Sequence, residues 1–143
     1  IPYPREEGSW AEEQAAQIGD MLAWIDTTAS GEMRILLGDM NAGPEVGDCD
    51  AEEEENWELL AAAGMDVPYV EDVGECTFCP DNPLQSEDSD VEKKLIDHVM
   101  LSGFTGETTS TRILDQEITS ERCGEEIPAA LSDHYGVSVT IEP

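Results

Sequence analysis

Basic side chains are what this sequence has least of. Six Lys and Arg stand against 34 Asp and Glu, a formal net charge of −28. Arg5, Arg34, Lys93, Lys94, Arg112 and Arg122 are too few to build a basic nucleic-acid face, because affinity for DNA comes largely from Lys and Arg displacing counterions. Aromatic residues are few, and histidine occurs only twice, at His98 and His134. No apolar run is long enough to cross a membrane as a helix. The chain begins at Ile1 rather than Met, and on that ground a processed product or a cleavage fragment is expected.

What is present in excess is acid. Such a charge keeps a protein soluble but costs self-repulsion. Salt shortens the Debye length to about 3 Å at 1 M and would relieve it. Saline surroundings (a halophilic protein) are one explanation; a secreted protein that is simply acidic is another, and specific calcium binding is a third. At 143 residues the chain suits one domain with a real core. Its four cysteines, Cys49, Cys76, Cys79 and Cys123, form an even set. In a chain of exported character that favours disulfides, with three pairings open. Cys76-Thr77-Phe78-Cys79 also has the spacing of a zinc half-site, though no second pair follows.

The chain is organised around Arg34-Ile35-Leu36-Leu37-Gly38-Asp39-Met40-Asn41-Ala42-Gly43-Pro44. The continuous apolar run reads as a strand packed on both faces. Gly38 ends it, and Gly43-Pro44 turns the chain. Asp39 and Asn41 are two apart, so both should point the same way. A carboxylate beside an amide suits a cation and a phosphate better than it suits a core.

Ahead of this strand, Ser9-Trp10-Ala11-Glu12 has the form of a capping box. Ala11, Ala15, Ile18, Leu22 and Ile25 follow as one buried stripe of a helix running to about Thr28, with Trp24 expected in the core beside it. Behind it, Asp50-Ala51-Glu52-Glu53 can cap a second helix carrying Trp57, Leu60 and Ala61, which Gly64 stops. Met65 to Pro83 reads as a loop, and residues 85–90 as a polar, mobile stretch. Lys94 to Ser102 is a strand, with Thr108 to Leu114 as its partner. Thr119 to Pro128 is a loop holding Cys123, and Val137, Val139 and Ile141 alternate in a last strand. The order predicts an α/β protein with a mixed, mostly antiparallel sheet and helices on one face.

Gly38-Asp39-Met40-Asn41, then Ile96-Asp97-His98-Val99, then Ser132-Asp133-His134 occur in that order, each at or near a strand end. Together they resemble the C-terminal half of the endonuclease/exonuclease/phosphatase superfamily, which includes DNase I-like nucleases, sphingomyelinases and inositol-polyphosphate phosphatases. The resemblance spans from about residue 10 to the end of the chain. It implies half of a four-layer α/β sandwich, a divalent cation (Mg²⁺, or Mn²⁺ or Ca²⁺), and hydrolysis of a phosphodiester by in-line attack of water. In that reading His134 is the general base or stabilises the attacked phosphate, and Asp97 fixes its tautomer. Asp133 faces the cation. Asp39 shares the cation and orients the attacking water or the leaving oxygen. Asn41 holds a phosphate oxygen. The Cys-Thr-Phe-Cys stretch followed by Asn82-Pro83 is similar to a cleft loop of secreted members, so Phe78 would touch substrate; the alternative is a disulfide-stapled surface loop. His98, on the opposite strand face from Asp97, is expected to be structural or exposed.

The superfamily's N-terminal half would supply a metal-binding Glu and a second catalytic His, and neither motif is in this chain. The expectation is therefore a secreted metal-dependent hydrolase that works only with its N-terminal half, present as a separate chain or missing. Its substrate would be a nucleic acid or, as the charge favours, a phospholipid such as sphingomyelin. A non-catalytic binding or structural protein on the same scaffold is the competing expectation.

Overall fold

A computed structural model describes residues 8–29, 31, 33–85 and 90–142. Most of the polar stretch at 85–90, expected to be mobile, lies outside the described residues. The chain runs α1 (Trp10–Thr28), β1 (Arg34–Asp39), α2 (Glu54–Ala61), α3 (Pro68–Asp72), β2 (Asp97–Ser102), β3 (Glu107–Ile113), β4 (Ile118–Arg122), β5 (Glu125–Ala129) and β6 (Gly136–Glu142). This is a mixed α/β fold whose strands pair in three antiparallel twos: β1 with β2, β3 with β6, and β4 with β5.

Helix α1 starts where the sequence signals. The Glu12 N–H donates to Ser9 Oγ at 3.1 Å, and the Ser9 N–H donates to the Glu12 carboxylate at 2.7 Å, so two orphan donors are satisfied together. Its apolar stripe turns inward: Ile18 is buried, and Met21 and Leu22 pack with it on Trp57 and Leu60 of α2. Leu36, Met40 and Met100 close this core from the β1–β2 side. A second cluster joins Tyr69 of α3 to Cys49, Cys76, Cys79, Leu95 and Tyr135, and Val70 packs against both clusters.

The register of β1 on β2 aligns Leu36 with Met100, Gly38 with His98, and Asp39 with Asp97. Side chains alternate, so Leu36, Met100 and His98 share the helix-covered face while Asp39 and Asp97 share the other. That other face is open: Ile35 is 53% exposed and Leu37 67%. The expectation of a strand packed on both faces is thus corrected, because helices cover only one side of β1 among the described residues.

Other expectations shift as well. Trp24 is 64% exposed rather than in the core, since it falls outside the stripe that meets α2. Helix α2 begins at Glu54 with Glu53 in a left-handed conformation and no side-chain cap, so Asp50 does not cap it. The expected loop at 119–128 is the β4–β5 hairpin, with Cys123 at its turn. β3 pairs with β6 instead of β2. The Cys76–Cys79 turn stands between β2 and β6 at their entry ends: the Thr77 N–H donates to the Lys94 carbonyl at 2.9 Å, and the Tyr135 N–H donates to the Thr77 carbonyl at 2.8 Å. The strands pair only in twos, so no single continuous sheet forms among the described residues.

Of the four disulfide candidates, Cys76 and Cys79 are joined. Cys49 and Cys123 are free, which corrects their expected pairing. Cys49 is buried beside the Gly74 carbonyl, whereas Cys123 sits on an exposed hairpin turn, so the fold keeps them in different surroundings. Burial, with the neighbouring Asp48 carboxylate, holds the Cys49 thiol above its ordinary pKa and slows its alkylation further. Iodoacetamide should therefore add one label to the native, unreduced chain, at Cys123. Denaturation should expose Cys49, and only reduction should release Cys76 and Cys79. Peptide mapping by mass spectrometry checks this, and a native label on Cys76 or Cys79 would contradict the disulfide.

Candidate functional site

Three segments converge at the open face of β1–β2. The end of β1 supplies Asp39, the start of β2 supplies Asp97, and the loop before β6 supplies His134. One ligand atom from each of the three lies within 4.8 Å of the others. His134 Nδ1 stands 2.8 Å from Asp97 Oδ2. An ionised carboxylate only accepts, so this contact places the proton on Nδ1 and leaves Nε2 as the acceptor of the neutral ring. The His134 N–H donates to Ser132 Oγ at 3.2 Å, and the Phe78 ring lies 5.0 Å from the imidazole, centroid to centroid.

The Asp39–Asn41 corner is a tight turn. The Asn41 N–H donates to Asp39 Oδ1 at 2.8 Å, and Asn41 has a φ of 47°, a left-handed conformation that Asn tolerates better than most residues. Beneath the corner, the Gln14 amide donates to the Met40 carbonyl at 3.0 Å and the Asn41 carbonyl at 2.8 Å. Asn56, 5% exposed, donates in turn to the Gln14 side-chain oxygen and to the Ala11 carbonyl. Gly43 is needed for close approach: a Cβ there would stand 1.8 Å from the Leu95 carbonyl oxygen.

A cavity of about 360 Å³ opens beside the Asp97–His134 dyad, lined by Asn41, Glu52, Phe78, Asp90, Val91, Glu92, Lys94, Ile96 and His134. Asn41 and Glu52 also line a second cavity, of about 520 Å³, that reaches Trp10, Gln14 and Gln17 of α1. Lys94 lies between Glu92 at 2.9 Å and Glu52 at 3.4 Å, and donates to the Ala51 carbonyl at 2.9 Å. Its charge is already matched, so the cavity is acidic on balance.

Sequence-predicted residues fall as follows. Asp39, Asp97 and His134 are brought together, and Asn41 and Phe78 line the adjoining cavity with His134. Asp133 is outside the trio. It is exposed, its Oδ1 accepts from Ser132 Oγ at 3.4 Å, and its carbonyl accepts from Gln85. Cys76 and Cys79 spend in their disulfide the thiolates a zinc ion would need. Sequence reasoning gives no role to Gln14, Asn56, Thr77 or Lys94. Gln14 and Asn56 do carry a signal, since each is a polar residue four before a buried apolar one, Ile18 and Leu60, on a helix face.

No protein-family model matches the sequence, and a comparison with curated proteins found no match. No helix among the described residues is long and apolar enough to cross a membrane.

Two carboxylates and an imidazole make a mixed oxygen and nitrogen donor set that could hold a divalent cation such as Mg²⁺ or Mn²⁺. The two histidines differ electrostatically. Burial lowers His134, but the Asp97 hydrogen bond and charge, with Asp39 and Asp133 behind, outweigh it and hold the ring above its ordinary value. His98 is 2% exposed, 4.5 Å from the Trp57 ring, with Nε2 2.9 Å from the Ala42 carbonyl. Burial holds it below its ordinary value. Linkage gives the signs. The His134 contribution to stability is complete below about pH 6.5 and is lost as pH rises through its folded pKa; the His98 contribution is present above about pH 6.5 and is lost as pH falls. With only two histidines, a ¹H NMR titration should resolve one imidazole titrating above 6.5 and one below. Asp97→Asn should move the upper one down toward 6.5 and leave the lower one in place; two coincident midpoints in the wild type would contradict the Asp97–His134 pair.

Proposed function

We propose that the chain is part of a divalent-metal-dependent phosphodiesterase, a secreted, nuclease-like hydrolase of the endonuclease/exonuclease/phosphatase type. The observation that carries this reading is the Asp39–Asp97–His134 cluster beside the Asn41 cavity. Its logic is that of a positioned base: Asp97 holds His134 Nδ1–H, and Nε2 is free to take a proton from water or to bond a phosphate oxygen. Asp39, facing Asp97 across the strand pair, orients the water or leaving oxygen and helps hold the cation. Asn41 offers its amide to a phosphate oxygen, and Phe78 gives the cavity an apolar wall. The cation, when bound, offsets the charge of the phosphoryl centre among these acids. Asp133 keeps its proposed place as a further cation ligand from the exposed loop.

A whole site in this reading also needs a Glu and a second His from the N-terminal half of a four-layer sandwich. The open Ile35 and Leu37 face gives that half an apolar surface to cover. The acidic cavity favours a phospholipid over a nucleic acid as substrate, since Glu52, Asp90 and Glu92 outnumber Lys94 and would repel a polyanion at low salt. A phosphodiester assay combined with native mass spectrometry tests the reading. The expected outcome is a complex heavier than 15.6 kDa that hydrolyses sphingomyelin or DNA with Mg²⁺ and loses activity to a chelator. His134→Ala and Asp39→Asn should each lower kcat by about 10²–10⁴. Activity that survives both substitutions would overturn the assigned roles, and an assembled protein inert toward every phosphodiester would favour a binding role.

A further inference from the structure

Both members of the dyad hang on one buried threonine. Thr77 is 0% exposed, and its Oγ1 accepts from the Ile96 N–H and from the Asp97 N–H, each at 3.2 Å. A hydroxyl has two acceptor lone pairs, so this one side chain satisfies the two amides that lead the chain into β2. The Thr77 main chain faces the other way. Its carbonyl accepts from the Tyr135 N–H at 2.8 Å, one residue after His134.

The neighbouring residues stiffen the same unit. The Thr77 and Phe78 N–H groups both donate to the Lys94 carbonyl, at 2.9 and 3.0 Å, and the Lys94 N–H returns to the Phe78 carbonyl at 2.9 Å. Cys76–Cys79 closes the turn around Thr77 and Phe78. Asn82, 2% exposed, donates to the Ser132 carbonyl at 3.0 Å, holding the loop that carries His134 from a second point.

We propose that Thr77 is a positioning residue for the Asp97–His134 pair, its hydroxyl fixing the backbone of the acid and its carbonyl fixing the backbone beside the imidazole. A threonine suits this because its branched side chain has a stiff χ1, so the hydroxyl is held in place once buried. Leu95 and Cys79 are also 0% exposed and Ile96 is 5% exposed, so the hydroxyl acts within a buried stretch where an unpaired amide is costly. The proposal bears on catalysis only through the phosphodiesterase reading above, but the geometry it describes is independent of any substrate.

The test separates shape from hydroxyl. Thr77→Val keeps the branched shape and removes the acceptor; Thr77→Ser keeps the acceptor. An imidazole N–H held by a carboxylate gives a ¹H resonance far downfield, assigned here by its loss in Asp97→Asn. Thr77→Val should lose that resonance to exchange with water while the Trp57–His98 nuclear Overhauser contacts of the main core persist. Thr77→Ser should retain both. The proposal is overturned if Thr77→Val keeps the downfield proton, if Thr77→Ser loses it as fully as Thr77→Val does, or if Thr77→Val loses the Trp57–His98 contacts too, since the hydroxyl would then be holding the whole core. A wild-type spectrum without the resonance overturns the pair itself. No readout needs a substrate, so a failure to detect hydrolysis would sink the phosphodiesterase reading and leave this result standing.

Discussion

Asp39 lies directly opposite Asp97 in the β1–β2 ladder. Like charges in that position destabilise a strand pair, so something else must hold the register. Leu36 against Met100 and Gly38 against His98 lie on the helix-covered face, where Met100 and His98 are buried and Leu36 packs on the core. A slip of β2 by one residue would send Met100 and His98 to the open face and Asp97 into the core, at far greater cost. Hydrophobic burial on one face therefore forces an electrostatic conflict on the other. His134 answers part of it through Asp97, and the paired acids raise its hold on a proton.

The two histidines divide the labour that follows from this arrangement. His98 sits next to Asp97 in sequence yet on the opposite face, beside Trp57 and the Ala42 carbonyl, where burial holds its pKa below the ordinary value. It ties β2 to the segment just after the Asp39–Asn41 corner. His134 comes from a distant loop and supplies the chargeable ring. Strand alternation separates His98 from Asp97, while the fold brings His134 to Asp97 from 37 residues away.

Much of the site is legible in the sequence because it is written in short local patterns. The capping box places α1, and period-two alternation sorts Asp97 from His98. The family resemblance of the three motifs groups Asp39, Asp97 and His134, together with Asp133, which lies outside the trio. Burial depends on which layers cover a surface, and no local pattern carries that. Ile35 and Leu37 read as core because they are apolar, yet helices cover only the far side of their strand. Trp24 misleads in the same way. Strand partners are hidden for a subtler reason: the Cys76–Cys79 turn takes backbone groups of residues 94 and 135, and β3 pairs with β6. Long-range contacts such as Asn56 on Gln14 join residues 42 apart in the sequence, beyond the reach of any helical or strand period.

The charge of −28 and the site operate over different distances. The dyad contact spans 2.8 Å and the three candidate ligand atoms lie within 4.8 Å. Repulsion between the acidic surface and an approaching polyanion acts over the Debye length, about 8 Å at physiological ionic strength and about 3 Å at 1 M. Salt can thus remove most of the long-range repulsion while leaving a partly buried hydrogen bond nearly intact. Near the Asp39–Asp97 pair the acidic field works in favour of binding, because it raises the local concentration of cations. Acidity on this scale therefore acts on whatever approaches the surface, while the Asp97–His134 geometry depends on a few short contacts that salt barely screens.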